Sequence, residues 1–72
     1  MVKNSFGDYI FQLRKNEHLT QEKLGELLEI NGKSVSKWER GITNPSINTL
    51  VNISKIFNVR LEVLLSLIYL NN

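Results

Sequence analysis

The stretch Leu19 to Gly41, LTQEKLGELLEINGKSVSKWERG, constrains this chain more than any other. It reads as two short helices joined by a tight turn. Thr20 caps the first, whose apolar face is Leu24, Leu27 and Leu28 at i, i+3, i+4 spacing. Glu29 and Ile30 make the turn. Asn31 caps the second helix, which runs through Val35 and Trp38 to a stop at Gly41. The whole chain is 72 residues, which is at most one domain, 1–72. A chain this short buries only roughly 60% of its unfolded surface. Such a core is marginal, so compact helices with local contacts, or a partner subunit, are the expected solutions.

The second of these helices has two different sides. With Val35 at zero and about 100° per residue, Trp38 and Glu39 fall within about 60° of it. Lys33, Lys37 and Arg40 cluster on the far side, within about 60° of one another. An apolar inner stripe under a basic outer stripe lets a helix sit on a domain while lying in a DNA major groove. The net charge of +2 says little by itself, but its distribution says more. Residues 32–45 hold three cations and one anion, whereas 22–29 hold three anions and one cation. The positive charge is local to the candidate reading helix.

Three segments in order carry a family resemblance: L-T-Q-E-x-L-x-E-x-L, then S-V-S-K-W-E-R-G, then N-P-S-I-N-T-L. The chain resembles the Cro/CI-type, Xre-like helix-turn-helix proteins, the family of lambdoid phage repressors, from about Phe6 to Leu65. The resemblance implies an all-α fold, a compact five-helix lambda-repressor-like domain with the helix-turn-helix over residues 20–40. It also implies a sequence-specific regulator of transcription, expected to be a repressor, that binds double-stranded DNA with its third helix in the major groove.

The remaining segments fit five helices. Residues 1–4 read as a short arm, and Ser5 with Asp8 as a capping box. Phe6, Ile10 and Leu13 form the inner stripe of the first helix, with Tyr9 at its edge and Phe11 pointing away. His18 stands where the family usually has Gly, so a left-handed conformation is expected there. Gly25 allows close approach of the second helix to the third. Glu29 replaces another family Gly. Ser46 caps a fourth helix with Leu50, Ile53, Ser54 and Phe57 inside and Ile47 above. Asn58 ends it in the place of a Gly. Arg60 opens the fifth helix, 61–70, where the family tends to have Ser, so its cap is weak. Leu61, Leu64, Leu65 and Ile68 share one face of that helix, and Val63, Leu67 and Leu70 make a second. A helix apolar all round is covered on both sides. A homodimer through Val63, Leu67 and Leu70, with Tyr69 at the rim, is therefore expected.

The resemblance, carried over position by position, implies DNA contacts from Gln21, Gly32, Lys33, Ser34 and Lys37, with Ser36 near the backbone side. Thr20 and Asn31, the two caps, adjoin them and are expected to contact DNA as well. Lys33 and Lys37 reach guanine O6 and N7 or, as point charges, a phosphate. Gln21 suits adenine or a phosphate, and Gly32 lets backbone come close. Arg40, Thr43 and Asn44 suit phosphates flanking the groove. A basic residue alone is usually a solvated surface charge; the cluster opposite Val35 and Trp38 is what points to a site. Glu39 lies inside, and the resemblance implies an ion pair with Arg14. Trp38, at i+3 from Val35, belongs to the core.

Competing functions are an antitoxin or phage immunity protein of the same fold, and a protein-interaction module that has lost DNA. An interaction module has no reason to keep the basic stripe. An enzyme is not expected: no nucleophile, base and orienter come together, and no glycine loop cradles phosphate. With one His and no Cys, no metal or other cofactor is expected. Neither a signal segment nor an apolar run near ~20 residues is present in these 72, so a cytoplasmic protein without membrane or small-molecule partners is expected. The expected DNA partner is a pseudo-palindromic operator with half-sites about 34 Å apart.

Overall fold

The chain forms α1 (Phe6–Asn16), α2 (Gln21–Leu27), α3 (Gly32–Glu39), α4 (Ile47–Phe57) and α5 (Leu61–Tyr69). The computed structural model describes residues 5–70, with no strand among them; the arm expected over 1–4 lies outside the described residues. Four of the helices start on a side-chain oxygen that accepts from an orphan backbone N–H. Ser5 takes the N–H of Asp8, Thr20 that of Lys23, Asn31 that of Lys33 and Ser46 that of Thr49. α5 starts on Arg60 with no such bond.

The same four helices also stop alike. His18, Glu29, Gly41 and Asn58 all take a left-handed backbone, with φ of 58°, 60°, 77° and 55°. At all four the following N–H folds back across the last turn: Leu19 to Arg14 O, Ile30 to Gly25 O, Ile42 to Lys37 O and Val59 to Ser54 O, at 3.0, 2.8, 2.9 and 3.1 Å. Glu29 shows that the turn expected to want glycine forms without it, at a conformational cost of roughly 1–2 kcal/mol.

α2 packs on α3, α1 on α3 and α5, and α4 on α5. Between them lie Phe6 and Ile10 of α1, Leu24 and Leu28 of the α2 segment, Val35 and Trp38 of α3, Leu50 and Ile53 of α4, and Leu64 of α5. Phe6 meets the Trp38 indole edge-on, with ring centroids 6.4 Å apart. Gly25 sits where α2 crosses α3. A Cβ there would lie 2.9 Å from the Gly32 nitrogen and the Ile30 oxygen, so no side chain fits. Ser54, the polar member of the α4 inner stripe, donates its hydroxyl to Val59 O at 2.7 Å.

Three apolar assignments change. Leu27 is 47% exposed rather than part of the α2 inner face. It steps about 60° from Leu24 on the side away from Leu28, and α2 is too short to bury both flanks. Ile47 is exposed as the first residue of α4, before the helix reaches the core. Leu67 is half-buried against the core instead of lying opposite it. It is about 60° from fully buried Leu64, on the flank of the same face. The exposed apolar surface of the α5 segment is thus Val63, Tyr69 and Leu70.

Candidate nucleic-acid interface

α3 is held from three directions. Val35 and Trp38 anchor its inner side in the core. Asn31 fixes its start, and its last turn is closed by Gly41 N–H to Trp38 O at 3.0 Å with the Ile42 bond beside it. Glu39 fixes the inner edge: its Oε2 accepts from Arg14 Nε at 2.7 Å and its Oε1 from Arg14 NH2 at 3.0 Å. The two side chains are only 9% and 7% exposed. Arg14 also donates from NH1 to Leu19 O at 2.7 Å, so one guanidinium joins α1, the entry to α2 and the end of α3. A fork-shaped cation with several donors suits that junction.

On the outer side Lys33, Lys37 and Arg40 are all exposed, and none of them pairs with an acidic side chain among the described residues. Thr43 and Asn44 are exposed on the loop after α3. A shallow hollow of about 380 Å³ opens between the starts of α2 and α3, lined by Gln21, Glu22, Asn31, Gly32, Lys33 and Ser36. Asn31 uses its Oδ1 for the cap, which leaves its amide N–H₂ to donate. Thr20 likewise caps through its oxygen and keeps a hydroxyl proton.

The placement of several residues departs from the sequence reading. Gly32 does not owe its missing side chain to an approaching ligand: a Cβ there would lie 3.0 Å from the Glu22 Cα, so the glycine serves the α2–α3 contact. Ser36 lines the hollow, whereas half-buried Ser34 lies round the helix on the Trp38 side. Gln21 is not a free surface amide, since its Nε2 donates to Glu39 Oε1 at 3.0 Å. Glu22 went unassigned because only the helix crossing brings it to the hollow. A carboxylate there repels phosphate and can accept from the amino group of cytosine.

The arrangement has an apolar inside, a basic outside and a polar hollow at the leading end. A family model described as Helix-turn-helix matches residues 10–64, which include all of this arrangement from Thr20 to Asn44. The chain belongs to the helix-turn-helix family. This helix-turn-helix protein is 43% identical over 61 residues to the HTH-type transcriptional activator BcrR of Enterococcus faecalis, a match covering 85% of this chain and 30% of that protein. It is 40% identical over 52 residues to the HTH-type transcriptional regulator DicA of Escherichia coli (strain K12), covering 72% and 38%. The chain spans between 30% and 52% of the length of the curated relatives it matches. Among solved structures, the P22 c2 repressor in complex with a synthetic operator superposes with a TM-score of 0.81 at 27% identity, over 86% of this chain and 94% of that one. SinR in complex with DNA superposes with a TM-score of 0.73 at 33% identity, over 83% and 97%.

Proposed function

We propose that this helix-turn-helix protein is a sequence-specific regulator of transcription that binds double-stranded DNA in the major groove through α3. The observation that carries the reading is the free basic strip of Lys33, Lys37 and Arg40 on a helix whose opposite side is the core. Lys33 and the hollow beside it face the bases in this reading, with Gln21, Ser36 and Lys37. Arg40, Thr43, Asn44 and the capping residues Thr20 and Asn31 meet phosphates. Bound over a promoter, such a domain blocks access to it, so repression is the simplest outcome. The P22 c2 and SinR structures, each solved with DNA, support the reading. A cytoplasmic location follows from it, and no helix among the described residues is long and apolar enough to cross a membrane.

The active species in this reading is a homodimer formed through the exposed apolar surface of α5, with Val63 and Leu70 central, Leu67 on the flank and Tyr69 at the rim. Extents of 30 × 23 × 21 Å allow two touching copies to set their α3 helices about one turn of B-DNA apart, about 34 Å.

Selection from random-sequence duplex DNA, followed by titration at two salt concentrations, tests the proposal. An enriched inverted repeat is expected. Weak, strongly salt-dependent binding with no enriched motif contradicts it and leaves only non-specific attraction. Lys37→Ala then assigns that residue: relaxed preference at one base position means base reading. Uniform weakening with the salt slope reduced by about one means a phosphate contact, and no change removes Lys37 from the interface.

A further inference from the structure

The sequence separates Glu39 from the site, and its burial agrees. Its hydrogen bonds do not. Glu39 Oε1 is shared between Arg14 NH2 and Gln21 Nε2, both at 3.0 Å, while Oε2 is taken by Arg14 Nε. An ionised carboxylate only accepts, so the Gln21 atom facing it must be the amide nitrogen. The carbonyl oxygen accepts no hydrogen bond among the described residues. Gln21 is half-buried and lines the hollow with Asn31, Gly32, Lys33 and Ser36. The same guanidinium holds Leu19 O, two residues ahead of Gln21, so side chain and backbone are referenced to one point.

We propose that Glu39, charged and braced by Arg14, is a positioning residue that holds the Gln21 carboxamide with its oxygen toward the DNA. The proposal rests on the DNA-binding reading above. A free glutamine can turn its amide over to meet either a donor or an acceptor. A held glutamine cannot. It meets an amino donor well and an acceptor badly. In the major groove adenine offers an N6 donor beside an N7 acceptor, and cytosine an N4 donor, whereas guanine and thymine offer only acceptors at the matching edge. The one amide N–H not used by Glu39 completes the pair with adenine N7. Gln21 thus reads adenine first, cytosine second, and disfavours guanine and thymine, whose acceptor oxygens meet its own carbonyl oxygen. Holding the amide beforehand also removes the ordering cost from the binding step.

Two measurements test this. In the free protein, the side-chain amide of Gln21 is expected to have a nitrogen-15 order parameter near that of the rigid backbone. A value below about 0.6, that of a freely moving side chain, overturns the positioning role whatever the protein does with DNA. The second compares base preferences of the parent, Gln21→Ala and the double variant R14M/E39L, with circular dichroism to establish that each is folded. Replacing both members of a buried pair by apolar residues is often neutral for stability. The parent should prefer adenine over guanine or thymine by about tenfold at one position per half-site. Gln21→Ala should abolish that preference, and R14M/E39L should reduce it several-fold at that position alone. A double variant that binds uniformly more weakly with the adenine preference intact assigns the pair to folding only and overturns the proposal. A Gln21→Ala profile unchanged at every position does the same. A parent with no preference at any position overturns the DNA reading itself, and this inference with it.

Discussion

Helices α1 to α4 and helix α5 reach the same core by different means. Each of the first four opens on a capping side chain and closes on a left-handed residue, with polar groups over most of its outer surface. α5 opens on Arg60 without a side-chain cap, and apolar side chains follow on nearly every side. Caps and stops define a helix from its own residues, independent of neighbours. A helix lacking them depends on what packs against it. The four defined helices hold the basic strip in place, while α5 closes the core with Leu64 and leaves Val63, Tyr69 and Leu70 exposed.

The largest expected effect separates the two sides of α5. Leu64→Ala empties a fully buried site and should cost about 2–5 kcal/mol in urea unfolding. Leu70→Ser, at a position 77% exposed, should change the stability of the monomer by less than about 0.5 kcal/mol. The same Leu70→Ser should lower self-association in sedimentation measurements. Equal losses of stability from the two would erase the distinction between the core face and the exposed face.

A smaller contrast lies in the caps. Thr20→Ala removes an acceptor from Lys23 N–H at 2.9 Å and should cost about 1 kcal/mol. Arg60→Ser supplies α5 with the cap it lacks and should gain up to about 1 kcal/mol, offset by loss of the exposed Arg60–Glu62 pair at 3.2 Å. Thermal unfolding reads both. A destabilising Arg60→Ser would mean that α5 is set by Arg60 in a way that capping does not describe.

The smallest effect is electrostatic. The backbone N–H at the start of α5, then the Arg60 side chain, hold the Glu62 carboxyl below its ordinary value of 4.5. A lowered acid favours the folded state above the ordinary carboxylate range and loses that contribution as pH falls through the folded value. Glu62 is fully exposed, so the change in melting temperature should be slight, confined to acid, and absent in Glu62→Gln. A Glu62 carbon-13 titration centred above 4.5 would contradict it.

Much of this was legible in local residue order. Ser5, Thr20, Asn31 and Ser46 act within three residues of themselves, and His18 and Asn58 stop helices by a property of their own backbone. The two-sided character of α3 follows from one helical period. What escaped depends on how helices cross. Gly32 looks open to a ligand until α2 is laid against it. The bond from Gln21 to Glu39 spans 18 residues and exists only because α2 and the end of α3 converge on Arg14. Leu27 and Leu67 were assigned to faces by spacing, but a flank is buried or bare according to the neighbour present on that side.

In the proposed assembly α1 to α4 read DNA and α5 joins two readers. The most direct test is the stoichiometry of binding, measured by sedimentation, on a selected inverted repeat and on one isolated half-site. Two chains per repeat are expected, bound cooperatively, with much weaker binding to the half-site, and loss of that cooperativity in Leu70→Ser. A single chain that binds the half-site as tightly as each half of the repeat, unchanged by Leu70→Ser, would contradict it.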